Sequence, residues 1–271
     1  MSDKKDIFKV NEKPRLGKAD LHIHSHYSDA EMSVKQILDY VQEKTDLDVI
    51  AICDHDTMRG AYEAITLMEN GSYRFELVLG EEITSQEGHI VGLFLQSEIP
   101  AGLSVKETLK RIRAQKGIAI AAHPFYHSKM KHSKYATMDG IGATTLLKNN
   151  KMIDGVEIVN ATPTLSDENL GASILNKTIL FNAEVGSSDA HIVEAIGMGY
   201  TLFEGKSAKA LRHSILEHQT RAMYKKWSYL GLFKYAYFYI PRGLRLLVHT
   251  IIHGRKHRKP DLLEENILAG E

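Results

Sequence analysis

The run Asp20-Leu21-His22-Ile23-His24-Ser25-His26-Tyr27-Ser28-Asp29 gathers three imidazoles and two carboxylates into ten residues. On an extended strand, alternation sends His22 and His24 to one face and Leu21 and Ile23 to the other. Two neutral imidazoles facing one way, with a carboxylate close behind, are half of a transition-metal site. The complement recurs downstream as Asp54-His55-Asp56, Gly80-Glu81-Glu82-Ile83-Thr84, Gly88-His89-Ile90, Ala122-His123-Pro124 and Ser188-Asp189-Ala190-His191. Each segment follows or opens a short apolar run that reads as a buried strand. Ligand types returning to strand ends describe a site assembled at one rim of a barrel. The alternative, a surface strand that happens to be rich in histidine, leaves these recurrences without a cause.

The elements that must position these residues are legible from periodicity. A strand near 18–24 leads to a helix opening at Ser33, with Val34, Ile37, Leu38 and Val41 at helical spacing. The strand Asp48–Cys53 follows, then a helix from about Met58 to Glu69 that Asn70-Gly71 stops. Phe75–Leu79 and His89–Leu95 are further strands. Ser104 and Glu107 form a capping box for a helix reaching Lys116, and Ile118-Ala119-Ile120-Ala121 is the next strand. Between Phe125 and Asn150 the pattern weakens to a long loop with some helix near Leu146. Gly155–Val159, a helix over Asp167–Asn176, a short strand around Thr178–Phe181, Val185–Asp189 and Tyr200–Phe203 complete the series. About seven strand-then-helix units predict a parallel barrel with helices outside.

A chain of 271 residues with 43% hydrophobic residues can bury one large α/β core. Its formal net charge is zero, yet Lys206–Lys259 holds thirteen Lys or Arg against the single acid Glu217, leaving 21 basic and 33 acidic residues elsewhere. The tail is basic and the body acidic. The lone Cys53 excludes an internal disulfide and reads as a small buried core residue. The N-terminus lacks the apolar stretch of a signal peptide, and no run is long enough for a spanning helix, so the expected location is cytoplasmic. The expected organisation is a lead-in over 1–17, a barrel over 18–205, and a basic, aromatic, mainly helical extension over 206–271.

In this order, over residues 18–203, the segments resemble the polymerase and histidinol phosphatase (PHP) superfamily of metal-dependent phosphoesterases. The resemblance implies a distorted seven-stranded (β/α)7 TIM-like barrel and a cluster of two or three divalent metal ions. By position, it implies that His22, His24 and Asp189 hold one metal, and that Glu82 bridges it to a second completed by His89 and His123. Asp29, His55 and His191 then hold the third, with Asp29 standing where some relatives have histidine. Nitrogen and oxygen donors without thiolate suit Zn, Mn or Fe. Strand alternation allows only one of Glu81 and Glu82 to face inward; the family pattern favours Glu82. Asp54 and Asp56 are candidates for orienting imidazoles, His26 is the surplus histidine of the first cluster, and His127 and His132, in the irregular loop, are candidates for contact with substrate.

The activity so implied is hydrolysis of phosphate esters, with a small-molecule or nucleotide phosphomonoester as first choice, by a hydroxide bridging two metals. Glu82, Asp189 and Arg59 are the catalytic candidates, Arg59 as the cation for phosphate oxygens ahead of Lys129 and Lys131. The alternatives are a phosphodiesterase or exonuclease acting on nucleic acid, and a non-catalytic metal-binding module. In the tail, Lys225, Lys226, Lys234, Arg242 and Arg245 interleave with Tyr224, Trp227, Tyr229, Phe233, Tyr235, Tyr237, Phe238 and Tyr239, before the cluster Arg255-Lys256-His257-Arg258-Lys259. Peripheral contact of 222–259 with an anionic membrane is one reading. The other packs the aromatics on the acidic barrel or on a second subunit; nucleic acid ranks third.

Overall fold

The structure, a computed structural model, describes residues 15–126 and 139–253, with side chains as far as Pro241. Residues 1–14, His127, Lys129, Lys131, His132 and the Arg255–Lys259 cluster lie outside the described residues, as do the side chains of Arg242 and Arg245. Strands β1 (Leu16–Ile23), β2 (Val49–Ile52), β3 (Glu76–Thr84), β4 (His89–Leu93), β5 (Ile118–Ala121), β6 (Gly155–Asn160), β7 (Ala183–Ser187), β8 (Gly199–Glu204) and β9 (Arg221–Tyr224) form one sheet. Its nine strands run in the order β7-β6-β5-β4-β3-β2-β1-β8-β9. The sheet is nearly closed into a barrel. Thr201 Oγ1 on β8 accepts from Gly186 N at 3.0 Å and donates to Gly186 O at 2.9 Å, tying β7 to the far end of the sheet.

Alternating burial explains why most strands read as unbroken apolar runs. Val49, Ala51 and Cys53 pack with Leu21, Val78, Val91, Leu93, Ile118, Ile120 and Val185 in a cluster drawn from strands all round the barrel, with Leu211 and Ile215 of α6 (Ala208–Leu216) against it. Ile50 and Ile52, one residue out of phase, instead meet Val34, Ile37, Leu38 and Val41 of α1 (Val34–Lys44) and Ala64 of α2 (Arg59–Glu69). Ile83, Ile90, Ala119, Ala121 and Val156 form the corresponding layer under α3 (Val105–Ala114), α4 (Gly142–Asn149) and α5 (Ser166–Leu175). Strands covered on both faces lose the apolar–polar alternation of a half-exposed sheet.

Several expectations change. The sheet is mixed: β3–β4, β4–β5, β1–β8 and β8–β9 are antiparallel. Between β3 and β4 the chain has only Ser85–Gly88, too short for a parallel crossover. Gly88 turns there at φ +140°, where a Cβ would fall 2.6 Å from the Gly140 backbone. The strand expected at 178–181 is a π-helical turn over Asn176–Leu180, held by the Asn176 side chain, which accepts from Asn182 N at 3.1 Å and donates to Asn182 O at 3.0 Å. Ser33 and Gln36 form a full capping box at α1, but at α3 only Ser104 caps, because Glu107 reaches Lys110 and Arg111 instead. Leu21 and Ile23 do not share a face. The β1–β2 register shifts between Asp20 and Ile23, and the two side chains enter different clusters. The sheet also continues past residue 205, since β9 pairs with β8.

Candidate metal centre

Nine donors converge at one mouth of the barrel, with the Glu82 carboxylate at their middle. Glu82 Oε2 lies 3.1 Å from His22 Nε2, 3.3 Å from His24 Nε2 and 3.2 Å from His55 Nδ1. Its Oε1 lies 3.0 Å from His89 Nδ1 and 3.1 Å from His123 Nε2. Asp189 Oδ1 stands 3.1 Å from His24 Nε2 and 3.7 Å from His22 Nε2. Asp29 Oδ1 is 3.0 Å from His191 Nε2, and its Oδ2 is 3.9 Å from His55 Nε2. Three groups have donor atoms within 4.8 Å of one another: His22, His24 and Asp189; His55, Glu82 and His89; and His24, Asp29, His55 and His191. His24 and His55 are each shared by two of these groups, a sharing that position alone does not imply.

Topology explains how distant segments meet. His24, His55, His123 and Asp189 each follow the end of a strand, and His89 opens β4, whose reversal brings its first residue to the same rim. Backbone contacts lock the ends together: His24 N donates to Ala190 O at 3.0 Å, and Asp56 N to Glu82 O at 2.9 Å. His123 and Asp189 hold positive φ of 24° and 51°, sparsely populated conformations kept at two of the ligand positions.

Glu81 and Glu82 part as alternation demands. Glu81 Oε2 accepts from Ile99 N at 2.8 Å, and burial pushes its carboxyl up to about 8. Asp54 accepts from Ser25 N at 2.6 Å, Ser25 Oγ at 2.7 Å and Ser28 Oγ at 2.8 Å, and so shapes the turn that carries the first cluster. Asp56 accepts from Thr84 N at 2.7 Å. His26 is exposed and packs against Tyr27, the two rings tilted by 36° with centroids 4.4 Å apart. Arg59 is exposed at the start of α2, its guanidinium 4.6 Å over the Tyr27 ring, outside the group of donors that contact Glu82, Asp189 or Asp29.

Two supporting residues escaped the sequence reading. Glu157 Oε1 is 3.1 Å from His22 Nδ1, while Oε2 accepts from His123 N at 2.7 Å and Asn160 Nδ2 at 3.1 Å. Asn160 Nδ2 also donates to Asp189 Oδ2 at 3.0 Å. The signal was present: an acid in the otherwise apolar run Gly155-Val156-Glu157-Ile158-Val159 needs a buried partner.

The donor set fits divalent cations. Three imidazole nitrogens crowd within 3.3 Å of Glu82 Oε2, two more lie within 3.1 Å of its Oε1, and His22 Nε2 faces His24 Nε2 at 3.1 Å. Cations satisfy such lone pairs together. Without them the site holds protons. Burial opposes a charged His22, but Glu82, Asp189 and Glu157 carry its pKa well above the ordinary value. Burial likewise opposes a charged His24, but hydrogen bonds to Asp189 and Glu82 raise it to about 10. Burial would also raise the Glu82 and Asp189 carboxyls, yet the surrounding imidazoles hold both well below the usual carboxylate range. His55 moves the other way, lowered by burial to about 3, and stays neutral.

A roof covers this mouth. In helix α7 (Tyr229–His253), Phe238 and Tyr239 lie 6.3 Å and 6.0 Å from the His191 ring, and Tyr235 stacks on Tyr239 at 4.3 Å. Trp227 packs on Tyr235 at 5.4 Å and donates from Nε1 to Ala161 O at 2.9 Å, and Lys234 pairs with Glu194. The inner aromatics of the tail thus pack on the barrel.

The PHP domain model matches residues 20–158, which carry His22 through His123, and a model described as PHP-associated matches 182–220, with Asp189 and His191. This chain belongs to the PHP domain family. The uncharacterized protein MJ1587 of Methanocaldococcus jannaschii is 43% identical over 119 residues, 40% of this chain and 68% of its own. A 5'-3' exoribonuclease of Haemophilus influenzae is 36% identical over 108 residues, 38% of each chain. In fold, this PHP chain is similar to a two-domain protein of Bacteroides vulgatus described as containing a predicted PHP-like metal-dependent phosphoesterase. The TM-score is 0.58 at 19% identity, over 78% of this chain and 65% of that one. Helix α7 lies beyond both matched segments.

Two outcomes follow from the geometry. Replacing Glu157 with Gln removes the charge behind His22 and should weaken Zn or Mn binding by about 10–100-fold in calorimetric titration, with circular dichroism unchanged. Because His24 is raised to about 10, metal loading at pH 7 should release protons, and affinity should climb with pH. The metal-free protein has the opposite trend on the alkaline side. The contribution of charged His24 is complete below its ordinary value of 6.5 and is lost as pH rises toward about 10. Thermal melts with and without metal across that window should diverge; parallel curves would count against a protonated cluster.

Proposed function

We propose that this PHP protein hydrolyses phosphate esters with two or three bound divalent cations, and that its substrate is a compact phosphomonoester. The observation that carries the reading is the convergence of three carboxylates, Glu82 at their centre, and six imidazoles whose donor atoms lie at separations that a shared cation can span. When bound, the cations supply a water of pKa about 7 and positive charge for the phosphoryl oxygens. Glu82 and Asp189 stay ionised, and each is shared between imidazoles, so they hold the donor groups at fixed separation. Glu157 keeps His22 oriented through Nδ1. Arg59, beside Tyr27, offers a guanidinium to phosphate oxygens that the cations leave free.

The roof supports the choice of a small substrate. Tyr235, Phe238 and Tyr239 lie over the His191 side of the cluster, where a polynucleotide would need an open groove. The likeness to an exoribonuclease favours the second reading, cleavage of nucleic-acid diesters.

Purified protein with Mn or Zn should turn over p-nitrophenyl phosphate, and Glu82→Gln should lower that rate by about a hundredfold or more. No turnover of this monoester or of the bis(p-nitrophenyl) diester at full metal occupancy would point instead to a non-catalytic metal-binding module. If α7 sets the size limit, Tyr239→Ala should raise diester turnover relative to monoester turnover by about tenfold. An unchanged ratio in an active enzyme would assign the discrimination to other residues.

A further inference from the structure

Helix α7 has a second face that the metal centre does not use. Tyr229, Leu230, Phe233, Tyr237 and Ile240 recur at helical spacing, and all five are at least 58% exposed, with Tyr229 reaching 94%. They are not the frayed side of a loose helix. Trp227, Lys234, Tyr235, Phe238 and Tyr239 fasten the opposite side to the barrel, so the orientation of the outer stripe is set by packing. A contiguous aromatic and aliphatic stripe of this kind marks an interaction surface.

The charge of the sequence that carries it indicates what covers it. From His218 to Pro260 the chain contains ten Lys or Arg and no Asp or Glu, while the remainder carries 24 basic and 34 acidic residues. A second copy of the chain docked face to face would bring like charges together, which disfavours a symmetric interface. An anionic lipid surface accepts both features: headgroups attract the basic residues, and Tyr and Phe rings settle at the boundary between headgroups and acyl chains. Among the described residues no helix is long and apolar enough to cross a membrane. A helix with this stripe lies on a bilayer instead. We propose that the outer face of α7 docks this protein on an anionic lipid bilayer, with Phe233 and Tyr237 as the central anchors.

The test is sedimentation of the full chain with phosphatidylcholine vesicles, with and without phosphatidylserine, against a Phe233→Asp, Tyr237→Asp double variant. Circular dichroism and metal titration check that the variant keeps its fold and its metal centre, which these two side chains do not touch. The unaltered protein should pellet with the phosphatidylserine vesicles and be released by salt. The double variant should partition about a hundredfold less, about tenfold for each aromatic lost. Equal pelleting of the two proteins overturns the proposal, as does an unaltered protein that stays in the supernatant. A dimer in light scattering that the double variant converts to monomer, with no vesicle binding by either, overturns it in favour of a second copy of the chain.

Discussion

One carboxylate surrounded by imidazoles governs this structure. Glu82 is buried, and five histidine rings stand within 3.3 Å of its two oxygens. A buried carboxylate is tolerated only when positive charge or hydrogen-bond donors replace the water it has lost. Protons on the imidazoles can meet that need, and so can cations shared between the same rings. The rings come from the ends of β1, β2 and β5 and the start of β4, so satisfying Glu82 requires the sheet to curl. It also requires β4 to run against its neighbours, so that His89 starts at the rim where the parallel strands finish.

Support for this centre comes from other buried acids, each spent on position. Glu157 grips His22, the backbone of His123 and Asn160. Asp20 accepts from Ser188 N at 3.0 Å and Gly197 N at 2.8 Å, joining β1 to the loop that bears Asp189 and His191. Asp54 organises the turn over Ser25 and Ser28. These residues give the mouth rigidity independent of any single ligand, which is what a site needs if its donors are to keep their spacing while protons and cations exchange.

Helix α7 joins two physical demands in one element. Its inner aromatics shelter the His191 side of the cluster, and its outer stripe remains exposed in a strongly basic stretch. A helix that only packed on the barrel would carry polar residues outside, and one that only met lipid would not need Trp227, Phe238 and Tyr239 within reach of the mouth. Helix α7 itself lies beyond the segments that the family models match.

Residue types and short-range spacing were enough to identify the donors, because His22, His24, Glu82, His123 and Asp189 sit at the ends of apolar runs whose periodicity is local. The capping of α1, the burial of Cys53 and the opposite roles of Glu81 and Glu82 were legible for the same reason. Periodicity did not show that β3 and β4 form a hairpin, that Leu21 and Ile23 part company at a register shift, or that 178–181 is a turn. Nor could it pair Glu157 with His22, which lie 135 residues apart, or sort the aromatics of α7 into a buried and an exposed face. Sequence determined which side chains could bind metal, since that is a property of each residue and its immediate neighbours. Tertiary structure alone decided which of them meet, because that depends on how distant strands close on one another, and a strand covered on both faces leaves no local trace of its partners.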